Sequence, residues 1–471
     1  MHITLIGLGI KDGDMTLSAE RALSCGAKIM ARTSHGEAYA RLGGREVEYL
    51  DEVYARSRNF DTLNKNLAKR VLDAAKTQPV VYCVDGSVGE DEGCKIILSK
   101  CRDCTVIEGV SKISHIKCAA RLQHSCVTAL SAYDISSLRS CPAAVIYDLD
   151  DFYLASEVKQ KLTDIFGEEC GCTFIEGDSV HKIKVYEIDR FKTYSADCAV
   201  AIEEGEFLKK QRYDYADLEH MVALLRAPGG CPWDRAQTND SIKGNMIEEA
   251  YELVDAINRG DDDGIEEECG DVLLQAAFHS VMKSEQGAFN GGDVLTRVVK
   301  KLIFRHSHIF GGDKAADEGA ALGVWEKNKM KEKHQTTYTE SLKAVPINFP
   351  ACMRAQKVGK RAAKSGMDFL SPLSASERMG EEVVELLKAL QAEDKGGVFE
   401  EAGDVLLSAV NTCRLAGVDC EQALAAATDK FIARFAKFEE LVLADGKACA
   451  DLCDEEYDWY WLQAKNAIKG N

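Results

Sequence analysis

"EECGDVLL", Glu267 to Leu274, and "EEAGDVLL", Glu400 to Leu407, differ at one position and lie 133 residues apart. On a helix, at about 100° per residue, Glu268 and Asp271 stand roughly 60° apart, as do Glu401 and Asp404, so each pair shares one face. Each pair also borders an apolar stripe; in the later copy this is Ala402, Val405, Leu406 and Ala409. The octet therefore reads as amphipathic helix, and its recurrence makes the second half of the chain two copies of one helical unit.

The repetition extends beyond the octet. "MIEEAYELVDAI" (Met246 to Ile257) and "MGEEVVELLKAL" (Met379 to Leu390) keep the same offset, which aligns Glu248 with Glu381, Glu249 with Glu382 and Glu252 with Glu385. Packing the stripe of Val383, Leu386, Leu387 and Leu390 against that of the second helix is expected to bring four carboxylates together. A solvated acidic face would carry the same residues, and like charges at this spacing cost only about 0.2–0.5 kcal/mol per pair. Drift, however, would scatter exposed acids while sparing the stripe, and here both sets are complete. Carboxylates without an interleaved His or Cys are hard oxygen ligands suited to Mg²⁺ or Mn²⁺. A di-iron site would need Glu-x-x-His pairs; His279 has Thr412 as its counterpart, which disfavours iron.

Composition narrows the partners. The 471 residues leave room for several domains, and 77 acidic against 58 basic residues give a formal charge of -19. That charge repels nucleic acid polymers and anionic lipid, but admits a small anionic substrate once divalent cations reverse the local field. "MHITLIGLGIKDGDMTL" lacks a basic flank and a cleavage site and reads as a strand rather than a leader. No apolar run reaches the roughly 18–20 residues of a membrane span, so no membrane partner and a cytoplasmic location are expected. The 18 cysteines are read as reduced thiols; "CRDC" and "CGC" lack a matching pair at zinc-finger spacing.

Along the chain, "ITLIGLG", "KIMART", "PVVYCVDG", "CTVIEGV", "AAVIYDL" and "IKVYEI" alternate with helical stretches, predicting an α/β domain over 1–200 with a parallel or mixed sheet. "YSADCAVAIEEGEFLKKQRYD" reads as the connection to an all-α remainder. That remainder divides into units 213–335 and 340–471, with Pro346 and Pro350 breaking helix at the junction. Lys430 and Arg434 in "DKFIARFAKF" supply cations spaced by four, and Lys301 and Arg305 in "KKLIFRHSH" hold a similar place in the first unit. "PGGCPWDRAQT" sets Trp233 in a loop, either to stack on a base or to seal the bundle; residue type favours sealing.

These stretches, with "EEECGDVLLQ", "RHSHIFG" and "VWEKNK", make the second half resemble the MazG family of nucleoside triphosphate pyrophosphohydrolases in its tandem form. The resemblance implies an all-α fold and Mg²⁺-dependent hydrolysis of a nucleoside triphosphate to monophosphate and pyrophosphate. It also implies metal ligands at Glu382, Glu385, Glu401 and Asp404, with Glu249, Glu252, Glu268 and Asp271 in the first unit. It further implies that the carboxy-terminal unit is the active one. Lys430, Arg434 and Trp461 would then contact the nucleotide, Glu382 or Glu381 would handle the attacking water, and the chain would pair as a homodimer.

The first half, through "ITLIGLGIKDGDMTL", "VVYCVDGSVGEDEG" and "VIEGVSKISHIKCAARL", is similar to the tetrapyrrole methylase family, which implies S-adenosylmethionine at Gly7, Gly9, Asp85 and Gly86. Ile10-Lys11 and Asp85 depart from that family's Pro-Gly turn and proline-rich loop. A binding or scaffold module is the alternative reading of this domain.

Overall fold

The computed structural model describes residues 2–57, 60–333 and 335–469. Two compact units divide at Gly291/Gly292, so the helices of the first repeat fall on both sides of the division.

The N-terminal region is α/β. β1 (Ile3–Gly7), β2 (Lys28–Ala31), β3 (Val47–Tyr49), β4 (Val80–Val84) and β5 (Cys104–Ile107) form a parallel sheet ordered β3-β2-β4-β1-β5. β4, "VVYCV", is buried at all five positions, as expected of a central strand with both faces covered. A second sheet, ordered β6-β7-β10-β8-β9, contains β6 (Thr128–Ser131), β7 (Ala143–Tyr147), β8 (Gly171–Glu176), β9 (Ser179–Lys184) and β10 (Cys198–Glu203). Only β6 and β7 run parallel in it; the other pairings are antiparallel.

One sequence expectation fails here. "CAVAIE" within the presumed connection is β10, a central strand pairing Val200 with Ile146 on one side and Phe174 on the other. Its small Ala and Cys side chains lower the strand signal, yet fit a position enclosed on both faces. "IKVYEI" is strand only as far as Lys184, after which Val185–Arg190 tightens into 3₁₀ turns.

Beyond β10 the chain is helical. The longer helices are α1 (Tyr215–Arg226), α2 (Asn245–Arg259), α3 (Asp262–Glu285), α4 (Gly291–Arg305), α5 (Glu318–Glu332), α6 (Ala351–Ala362), α7 (Pro372–Gln391), α8 (Lys395–Leu415), α9 (Cys420–Ala444) and α10 (Asp454–Lys469). No described helix is long and apolar enough to cross a membrane. All 18 cysteines are free thiols.

Candidate metal and nucleotide site

Each acidic cluster is built on a helical hairpin whose turn is itself repeated. α2 ends at Gly260 in the left-handed conformation, and the side chain of Asp261 caps α3 by accepting from the Gly264 amide at 3.1 Å. At the same register Glu393 takes the left-handed conformation, and Asp394 caps α8 by accepting from the Gly396 amide. A Cβ at Gly264 or Gly397 would lie 2.8 Å from the capping carboxylate, so glycine is what lets the cap close. The turn folds the second helix back on the first and fixes which faces meet.

The meeting faces carry the predicted acids. Oxygens of Glu249, Glu268 and Asp271 lie within 4.8 Å of one another, as do those of Glu382, Glu385 and Glu401. The fourth members stand outside these tight groups but close enough to be felt. Burial and then Glu252 push the Glu268 carboxyl up, and burial followed by Glu385, Glu382 and Asp404 does the same to Glu401. Burial and Asp271 likewise raise Glu249. Four equivalent ligands were expected in each copy; three converge, the third being Asp271 in the first copy and Glu385 in the second, while Glu252 and Asp404 lie outside the tight groups.

The donor set fits a hard divalent cation. It is all oxygen, and in the first copy Glu268 Oε2 and Gln275 Oε1 are buried with no hydrogen-bond partner, an arrangement that is unfavourable unless a cation or its water completes it. Gln275 donates to Glu249 at 3.3 Å. His279, one turn further along α3, contacts Asn239 at 2.6 Å and so lies outside the carboxylate group.

Sequence reading missed one cation. Arg378, on the first half of α7, donates to Glu381 at 2.6 Å and to Glu382 at 2.8 Å. The i,i+3 and i,i+4 spacing in "RMGEE" was the available signal.

The other predicted residues are placed unevenly. Lys430 is exposed on α9, and Arg434, one turn on, keeps a buried Nε without a partner. Trp461 on α10 joins an aromatic cluster with Phe431, Phe438 and Tyr457, at ring separations of 5.5, 6.0 and 6.4 Å. In the first copy Arg305 is 8% exposed, bonded to Glu332 at 2.7 Å and seated 5.2 Å from the Trp325 ring centre. Lys301 is half-buried on the same helix. Trp233 is 61% exposed, on a short helix that begins at Pro232. The apolar stripes are also incompletely covered: Val383, Leu387 and Leu390 on α7 and Leu406 on α8 are exposed.

In the N-terminal domain the glycine loops close on each other. Gly9 and Gly86 exchange backbone hydrogen bonds of 3.2 and 2.7 Å, and a Cβ at Gly7 would lie 2.5 Å from both Gly109 N and Gly86 O. Asp85 accepts from the Tyr39 hydroxyl at 3.0 Å and pairs with Lys112 at 2.6 Å, and Lys112 reaches Asp148 at 3.6 Å. Burial would raise Asp85, but Lys112, Arg32 and Tyr39 outweigh it and hold its carboxyl at about 2. Gly7, Gly9 and Gly86 thus pack loop against loop, and Asp85 is paired within the protein.

This triad sets a pH dependence. A carboxyl depressed in the fold stabilises it above its ordinary value near 4 and loses that contribution as pH falls toward 2. Lys112→Met removes the cation and is expected to destabilise by about 1–3 kcal/mol at pH 7, discounted for partial exposure. Burial already raises Asp148 in the parent; with Lys112 gone both Asp85 and Asp148 lose their cation, so acidification from pH 7 toward 4 should shrink the stability gap between variant and parent. Urea midpoints at pH 7, 5 and 4 check this.

Comparison with known proteins adds the following. Residues 237–310 and 370–438 match the family model described as the MazG nucleotide pyrophosphohydrolase domain. The chain is 40% identical over 251 residues to the nucleoside triphosphate pyrophosphohydrolase/pyrophosphatase MazG of Thermotoga maritima, covering 53% of this chain and 95% of that protein. It is 37% identical to the nucleoside triphosphate pyrophosphohydrolase of Escherichia coli K12, covering 52% and 94%. The Bacillus subtilis protein YabN, described as uncharacterized, is 29% identical over 98% of both chains. Among solved structures, the precorrin-6Y methylase of Archaeoglobus fulgidus aligns with a TM-score of 0.33 at 13% identity, over 44% of this chain and 99% of that one.

Proposed function

This chain belongs to the MazG family of nucleotide pyrophosphohydrolases, and from that premise we propose that it hydrolyses nucleoside triphosphates to monophosphate and pyrophosphate with Mg²⁺ or Mn²⁺ at Glu382, Glu385, Glu401 and Asp404. The observation carrying this reading is the convergence of three carboxylates in each copy, two of them at matching positions (Glu249 with Glu382, Glu268 with Glu401), on hairpins whose turns are capped at the same register. Glu249, Glu252, Glu268 and Asp271 form the corresponding site of the first unit. The division into a domain over 1–200 and units over 213–335 and 340–471 belongs to the same proposal.

A divalent cation there supplies neutralisation of the triphosphate and activation of water. The chain's own residues do the rest. Glu382, buried at 6% exposure, or its neighbour Glu381 orients the water and takes its proton. Lys430 and Arg434 hold phosphate oxygens, Arg434 with a donor still unpaired. Trp461 borders the nucleotide, and Trp233 serves the first unit's ligand. Attack at the α-phosphorus breaks the α–β anhydride; the water oxygen stays with the monophosphate and pyrophosphate leaves.

A homodimer is part of the proposal. Ile247, Tyr251, Val254 and Ile257 line one face of α2 and are all exposed, as is most of the α7 stripe, so a second copy would supply the missing cover. Incubation with each triphosphate and Mg²⁺ is expected to release pyrophosphate and monophosphate, from protein sedimenting at twice 51.7 kDa. Orthophosphate as the product would overturn the site of attack, and a monomer the pairing. The N-terminal domain is proposed as a cytoplasmic scaffold or binding module without methyl transfer, because Asp85 is tied to Lys112 and Tyr39. Calorimetric titration with S-adenosylmethionine should give no saturable heat, and micromolar binding would refute this.

A further inference from the structure

The repeat preserves every carboxylate of the two clusters but not the cation beside them. The residue 133 before Arg378 is Asn245. In the second unit the Arg378 guanidinium engages Glu381 at 2.6 Å and Glu382 Oε1 at 2.8 Å. In the first unit the corresponding Glu249 has a neutral neighbour, Gln275, at 3.3 Å.

We propose that Arg378 is a resident counter-ion that competes with a divalent cation for Glu382. The two units, which share two converging ligands and exchange the third (Asp271 in the first, Glu385 in the second), would then differ in affinity for bare metal. The inference rests on reading both clusters as metal sites. A guanidinium stays charged at every physiological pH, so its competition cannot be titrated away. It occupies one oxygen of the most buried ligand and adds a positive charge next to the position an incoming dication must take. Its own side chain is 46% exposed, so it can leave without disturbing the packed core. Phosphate oxygens offer it a planar, bidentate alternative. The first unit accordingly takes up free metal, whereas the second fills when the anion arrives to draw Arg378 off. Arg378 is in this sense a positioning residue, acting through Glu382.

The test is titration of the full-length protein with Mn²⁺ alone, following free Mn²⁺ by electron paramagnetic resonance. Two classes of site are expected, separated by about tenfold or more in affinity, with Glu268→Ala deleting the tight class. Arg378→Asn should tighten the weak class toward the strong one, Arg378→Lys should leave it weak, and Asn245→Arg should weaken the first site. A purely structural role for Arg378 would instead weaken binding in both Arg378→Asn and Arg378→Lys, and that pattern, or an unmoved weak class, overturns the inference alone. Absence of Mn²⁺ binding in every form overturns the metal reading together with it.

Discussion

Glu401→Ala is expected to lower pyrophosphate release by roughly a hundredfold or more, and Glu268→Ala by much less. Glu401 is one of three carboxylates converging within 4.8 Å, so alanine leaves a dication with two close protein oxygens. The asymmetry between the units comes from their cations. In the second unit Lys430 is exposed and Arg434 has an unpartnered Nε, while in the first Arg305 is tied to Glu332 and stacked on Trp325. A committed guanidinium must break those contacts before it can hold phosphate. Steady-state rates on the two variants decide the matter: abolition by Glu268→Ala with near-normal activity in Glu401→Ala would place the chemistry in the first unit.

Phe438→Ala should be the most damaging single change to the second unit's fold. Phe438 is fully buried between α9 and α10, with Tyr457 at 4.9 Å, Phe435 at 5.7 Å and Trp461 at 6.0 Å. Truncating such a ring costs about 3–5 kcal/mol, since the surrounding rings cannot collapse fully into the void. Amide exchange across α9 and α10 should speed up by about a hundredfold or more where it reports this opening. Phe399→Ala, at a position 85% exposed, should change stability by less than about 0.5 kcal/mol. Equal effects from the two substitutions would mean the aromatic cluster does not hold Lys430, Arg434 and Trp461 in place.

Much of this architecture was legible because two periodicities are strong. The i,i+3 acids beside apolar stripes gave the α2–α3 and α7–α8 pairs, and the apolar runs gave β1, β2, β4, β5 and β7. Periodicity alone could not say which third carboxylate would join each cluster, because Asp271 converges where its counterpart Asp404 does not, and Glu385 where its counterpart Glu252 does not, at identical helical spacing. β10 escaped notice because Ala and Cys carry little strand signal outside the enclosed setting that selects them. Arg378 was not singled out in the sequence; its spacing of three and four from Glu381 and Glu382 was the available signal, and its two short contacts distinguish it in the structure. The 61% exposure of Trp233 was not given by residue type, which favoured a sealing role.

The claim on which the rest depends is that paired carboxylates on repeated hairpins hold divalent cations, which in turn hold a triphosphate. Crystals grown with Mn²⁺ and a non-hydrolysable nucleoside triphosphate, measured at the manganese absorption edge, test it most directly. Anomalous peaks are predicted among Glu382, Glu385 and Glu401, with phosphate oxygens beside them and Lys430 and Arg434 turned toward the same phosphates. Nucleotide bound elsewhere, with no peak at either carboxylate cluster, would contradict the account.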